Sequence, residues 1–209
     1  EAGPRLAEAL RGRDSLIFIH GYNQSFEAAA RDAAPLSAGI GFFGHTAVFS
    51  WPSKGGLLDY GYDRESALLA RDDLADSLHA ILSDSSGGRV HLVAHSMGTL
   101  ATLEALRAYH DRHGDADFVR LGSIVFAAPD IDLDVFKAGL SRLGALRQKM
   151  TVITATNDRA LDLSRRLAGG DVVGALSAGA LEGMGVRVVD ATEFASGITR
   201  HDAFVANAD

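Results

Sequence analysis

The sequence contains no cysteine. Disulfides, thiolate catalysis and cysteine-ligated metals are thereby excluded, and the redox compartment is left unassigned. Long hydrophobic runs are also absent. The nearest, Val172 to Val188, is interrupted by Glu182, Arg187 and several glycines, so no transmembrane segment is expected. Clusters of one charge are missing too. Lysine and arginine total 20 against 27 aspartates and glutamates, giving a net charge of −7, and the cations are scattered, which argues against nucleic acid as a partner. No His/Asp/Glu grouping has zinc spacing, and the glycines form no phosphate-binding loop after a strand. The alternation Asp111, His113, Asp115, Asp117 lacks the turn glycine and terminal glutamate of a calcium loop, and reads as a solvated helix end.

What remains is ordinary for a globular chain: 209 residues, 47% hydrophobic and 22% charged, enough to bury a core in a single domain spanning 1–209. Residues 1–14 read as a short amphipathic extension. Without a membrane-length run a soluble domain is expected, and since the sequence starts at Glu1 rather than Met, as a truncated or processed start would, cytoplasmic and exported both stay open. Oligomeric state is not readable.

Along the chain, short apolar runs alternate with helical patterns. Leu16–Ile19, Thr46–Trp51, Arg89–His95, Gly122–Ala128, Thr151–Thr156 and Gly185–Asp190 read as strands. Continuous apolar runs such as Leu-Ile-Phe-Ile are typical of parallel strands covered on both faces. Helices are expected over 26–37 (stopped by Pro35), 63–82, 97–113, 133–146, 159–167 and 199–207. The alternation implies an α/β fold, a doubly wound, mostly parallel sheet with right-handed crossovers. Ligands in such sheets bind beyond the carboxyl ends of the strands, where His20, Trp51, Ser96, Asp130, Asp158 and His201 fall.

The stretch Val90-His91-Leu92-Val93-Ala94-His95-Ser96-Met97-Gly98 has the form of a strand that presents a serine on a tight turn before a helix. That is a nucleophile elbow, spelled A-x-S-x-G with Ala94 in place of the first glycine. A serine hydroxyl needs a histidine base, and the base needs a carboxylate to fix its tautomer. Ser96, Asp158 and His201 follow the order Ser, Asp, His, each just past a strand. Asp158 could equally cap the following helix, and Asp130 is the alternative acid. Of the eight histidines, His201 is the best placed as base. Oxyanion donors are expected from the backbone N–H of Met97 and from Tyr22 or Gly21, with Tyr22 preferred. His20 reads first as a brace for its turn and Trp51 as packing beside the site. Together with Tyr60 and Tyr62 they are the candidate pocket residues, and the loops 54–62 and 169–184 are candidate walls.

His20-Gly21-Tyr22-Asn23, Phe49-Ser50-Trp51-Pro52, Ala94-His95-Ser96-Met97-Gly98, Ala128-Pro129-Asp130 and Asn157-Asp158-Arg159 together resemble the α/β-hydrolase superfamily. The similarity spans roughly residues 15–205 and points to a bacterial esterase/lipase-like branch. It implies a compact α/β-hydrolase fold without a large cap domain; the sequence departs from the family pattern at Ala94 and in showing no room for the fold's first antiparallel strands. It further implies a carboxylic-ester hydrolase with triad Ser96, Asp158 and His201, no metal and no cofactor. The expected substrate is a small-molecule or lipid-like ester of short to medium acyl chain. A thioesterase or amidase on the same triad, and a non-catalytic ligand- or protein-binding module, are the alternatives.

Overall fold

A computed structural model describes residues 2–54, 56 and 59–194. Six strands, β1 (Ser15–Ile19), β2 (His45–Phe49), β3 (Val90–His95), β4 (Leu121–Ala127), β5 (Met150–Thr154) and β6 (Arg187–Asp190), form one sheet ordered β2-β1-β3-β4-β5-β6. Every pairing is parallel. The chain steps outward from β1 to β2, returns past β1 to β3, and then advances in one direction to β6. The winding therefore reverses between β1 and β3, and such a reversal opens a crevice at the carboxyl edge of the sheet. Among the described residues this sheet has no antiparallel strand.

Helices cover both faces because alternate strand residues point to opposite sides. Leu16, Phe18 and Val93 pack under α2 (Phe26–Gly39), whose Ala29, Ala33 and Leu36 are buried there. Ile17, Ile19, Leu92, Ala94, Phe126 and Val152 face the larger core. That core is completed by α1 (Ala2–Ala9), α3 (Tyr60–Leu69), α4 (Arg71–Ser83), α5 (Gly98–His113) and α6 (Leu133–Arg142). The last described helix, α7 (Arg159–Ala168), buries Leu161 against Ala128 and Val172. Among the described residues no helix is long and apolar enough to cross a membrane.

Three element boundaries differ from the sequence pattern. Pro35 lies within α2 rather than ending it. Pro35 and the Arg31 carbonyl it deprives of a donor sit on the exposed side, where water can replace the lost bond, while Leu36 continues into the core. The stretch 63–82 is two helices meeting at Ala70, because Asp63 and Ser66 face polar loops whereas Leu74, Leu78 and Ile81 face the sheet. The helix after β4 ends at Arg142, and Gly144 at φ +49 leads into a 3₁₀ turn over 144–149. The helix expected at 199–207 lies outside the described residues.

The glycine-rich stretch 169–186 is held to the site's edge by backbone bonds. Val173 N–H donates to the Ile131 carbonyl, Gly174 N–H to Pro129, and Ala155 N–H to Gly174, each at 2.9 Å. Gly174 packs so closely on Ala128 and Pro129 that a side chain there would sit 2.7 Å from their backbone atoms.

Candidate active site

Ser96 caps the carboxyl end of β3, buried, in the left-handed region at φ +50. A non-glycine residue in that region carries strain that surrounding bonds must hold. Here the Ser96 N–H donates to the Ala127 carbonyl at 3.0 Å. Its own carbonyl accepts the Thr99 hydroxyl at 2.6 Å, the Thr99 N–H at 3.0 Å and the Asp130 N–H at 3.3 Å. The turn is thus anchored both to α5 and to the residues after β4.

The loop after β1 interlocks with this turn. A side chain on Gly21 would come within 2.8 Å of the Ser96 Cβ, and one on Gly98 would overlap the His20 carbonyl oxygen. These two positions carry the demand for glycine. Ala94, fully buried between Ile19 of β1 and Phe126 of β4, accommodates its methyl within the sheet. That is the physical reason an alanine can stand at the first small position of the motif.

His20 is fully buried, and both its ring nitrogens are engaged. Nδ1 lies 2.9 Å from the Gly21 carbonyl, which can only accept, so the proton belongs on Nδ1. Nε2 then accepts the Trp51 N–H at 3.2 Å and the Ser50 hydroxyl at 3.0 Å. The Trp51 indole stacks on the ring and donates its Nε1–H to the His20 carbonyl at 2.9 Å. Burial holds the pKa of His20 below its ordinary value, against the smaller raising effect of the bonds to Gly21 and Trp51. The pair is a buried brace between the loops after β1 and β2. Neither ring forms an exposed pocket wall, and His20 has no lone pair left for a serine proton.

The two carboxylates compared as acids stand differently. Asp158, buried after β5, caps α7: its Oδ1 accepts the N–H of Ala160 at 2.9 Å and of Leu161 at 3.0 Å. Asp130, buried after β4, accepts the Tyr60 hydroxyl on Oδ2 at 3.0 Å and the Ser164 hydroxyl on Oδ1 at 2.5 Å. Asp130 therefore joins α3 to α7, and Tyr60, a candidate pocket residue, spends its hydroxyl inside this network. Burial and the Asp130 charge push the Tyr60 phenol up to about 12.

Tyr22 is half-buried, and its hydroxyl donates to the Gly56 carbonyl at 2.6 Å. Tyr62 is exposed, with the Lys54 ammonium 4.0 Å over its ring. Among the described residues, neither the Met97 nor the Tyr22 N–H bonds a backbone carbonyl. His201 lies outside the described residues. Among those described, no group of three or more His, Asp and Glu could hold a metal.

One buried acid escaped the motif reading. Asp63, in the first turn of α3, is fully buried and gathers donors from two loops. The available signal was its position four residues before Ala67, on the stripe that a helix here must turn inward.

Residues 5–209 match the model of a family described as an alpha/beta hydrolase of unknown function, DUF900. A search of curated proteins returned no match. Among solved structures, the fold is similar to that of a CIB-like hydrolase from Thermoplasma acidophilum. That match has 19% identity and TM-score 0.52, and covers 93% of this chain and 80% of the other. An acetyl xylan esterase matches at 13% identity and TM-score 0.53, with 93% of this chain and 92% of the other covered. A cutinase from Trichoderma reesei, in complex with a phosphonate inhibitor, matches at 12% identity and TM-score 0.50, with 100% and 84% covered. At these identities the likeness is one of fold.

Proposed function

The chain belongs to this α/β hydrolase family, and from that premise we propose that it is a serine hydrolase cleaving carboxylic esters through an acyl-enzyme on Ser96. His201 takes the Ser96 proton as Oγ attacks the ester carbonyl carbon, and Asp158 holds the imidazole in the competent tautomer. The N–H groups of Met97 and Tyr22 stabilise the tetrahedral oxyanion. Collapse expels the alcohol, which receives the proton from His201. Water, activated by the same imidazole, then releases the acid and restores Ser96.

The observation that carries this reading is Ser96 held at φ +50 against Gly21, where the loop bearing the second oxyanion donor meets the serine turn. Strand spacing supports Asp158 over Asp130. Neighbouring strands lie about 4.8 Å apart, so β5, two strands from β3, ends roughly 10 Å from the serine turn. That span suits an interposed imidazole, and Asp130, one strand away, already has a hydroxyl on each oxygen. The short connections 20–25, 50–59, 128–132 and 155–158 leave no room for a cap domain, which favours small esters of short to medium acyl chain.

The test pairs a fluorophosphonate probe with p-nitrophenyl esters of increasing chain length. Wild-type protein should be labelled and turn over the shorter esters, and Ser96→Ala should do neither. Wild-type protein inert to both reagents would exclude this chemistry, and a fully active His201→Ala would remove the assigned base.

A further inference from the structure

Burying a carboxylate is costly unless several donors satisfy it. Asp63 meets that condition without an ion pair: among the described residues its hydrogen-bond partners are all neutral. Oδ1 accepts the Lys54 N–H at 2.9 Å, and Oδ2 accepts the Ser53 hydroxyl at 2.5 Å and the Asn23 N–H at 3.5 Å. One turn along the same helix, the Ser66 hydroxyl donates to the Pro52 carbonyl at 2.6 Å. From the opposite side, the Tyr22 hydroxyl reaches the Gly56 carbonyl. Asp63 and Ser66 thus fasten the loop after β2 to α3, and Asp63 extends the fastening to the loop after β1, where Tyr22 also packs against Tyr60 of the same helix.

The residue it reaches there matters. Asn23 directly follows Tyr22 and sits at φ +57, in the left-handed region that asparagine tolerates better than most side-chain-bearing residues. The peptide planes before and after Tyr22 meet at its Cα, so fixing the second limits rotation of the first. Turning the Asn23 N–H toward a carboxylate commits that donor, while the Tyr22 N–H bonds no backbone carbonyl among the described residues. We infer that Asp63 is a positioning residue: it sets the Tyr22 N–H for the developing oxyanion by anchoring the next peptide, and ties that setting to the 53–56 loop. This rests on the ester-hydrolase reading above.

The experiment compares an oxoester with its thionoester in wild-type protein, Asp63→Asn and Ser53→Ala. An oxyanion takes strong hydrogen bonds and a thiolate-like sulfur weak ones, so a misplaced donor slows the oxoester selectively. Losing a whole oxyanion donor costs roughly 10²–10³ in rate. A displaced one should lower the oxoester kcat by about 10–100-fold, with KM within about threefold. The oxo-to-thiono ratio should fall in Asp63→Asn, and by less in Ser53→Ala, which keeps the carboxylate and guards against a variant that fails to fold. Phosphonate titration of the active fraction places every rate on a per-site basis. Equal slowing of both substrates, or a lower active fraction with unchanged per-site rates, would reduce Asp63 to a strut and overturn the inference while leaving the hydrolase reading intact. Wild-type protein that neither turns over nor is phosphonylated would overturn both.

Discussion

The indole Nε1–H of Trp51 donates to the carbonyl oxygen of His20 at 2.9 Å, and the two rings stack with centroids 5.0 Å apart. A residue just past β2 thereby satisfies a backbone group just past β1, at the carboxyl edge of the sheet. Trp51→Phe keeps the stacking surface but leaves the His20 carbonyl without this donor. It should cost about 1–3 kcal/mol of stability, read from denaturant unfolding.

The His20 ring makes that brace sensitive to acid. Its pKa is lowered in the folded protein, whereas in the unfolded chain the ring takes up a proton below about pH 6.5. The unfolded state therefore binds more protons as pH falls. The His20 contribution is fully present above about pH 6.5 and is lost as pH drops through the folded-state value. Melting temperature measured from pH 7.5 to 5 should fall, and fall less steeply in His20→Gln.

Glycine tolerance should follow the close contacts rather than the motif's spelling. Gly98→Ala drives a methyl into the His20 carbonyl and should cost at least about 3 kcal/mol or prevent soluble expression. Ala94→Gly restores the commoner spelling yet should retain activity, with a loss of only about 0.5–1 kcal/mol from strand entropy. Parallel unfolding curves would separate the two.

The carboxylates should part cleanly. Asparagine caps helices as well as aspartate, so Asp158→Asn should preserve the fold while lowering kcat by roughly 10⁴ if it orients the base. Asp130→Asn removes a shared acceptor for Tyr60 and Ser164 and should cost about 1–3 kcal/mol in stability, with activity changed less than about tenfold. The opposite ranking in an ester assay would move the acid to Asp130.

Tyr60 offers a spectroscopic mark of the same network. Its phenol ionises only at about pH 12, against 10 for an unshifted one. The folded protein retains that proton over a range where the unfolded chain has lost it. Stability is therefore undiminished below pH 10 and declines between pH 10 and 12 by about 2–3 kcal/mol. Absorbance at the tyrosinate band should show a late-ionising group that disappears in Tyr60→Phe.

Much of the architecture was readable from local pattern. Leu16–Ile19 and Leu92–Ala94 are continuous apolar runs bounded by small or polar residues, and both lie in internal strands, since burial on two faces leaves no alternation to misread. Ser96 was legible as a turn residue because a strand precedes it and Thr99–Leu106 follow at helical spacing. Other features were not. The break at Ala70 has no glycine or proline to announce it, and Pro35 stands inside a helix because the cost of its ring falls on a carbonyl open to water. Asp63 reads as an ordinary helix-start acid until Asn23 and Ser53 are brought beside it.

The sequence by itself determined most of the segments that become strands and helices, their order along the chain, and hence a parallel sheet with a serine beyond the carboxyl end of a strand. These follow from periodicity and turn chemistry, which act over a few residues. Only the tertiary structure decided that His20 and Trp51 brace each other, that Gly21 and Gly98 rather than position 94 need to be glycine, and that Asp63 joins the two loops beside Ser96. A buried polar group requires partners, and His20 finds Trp51 31 residues away along the chain while Asp63 finds Asn23 40 residues away, beyond the reach of any local pattern.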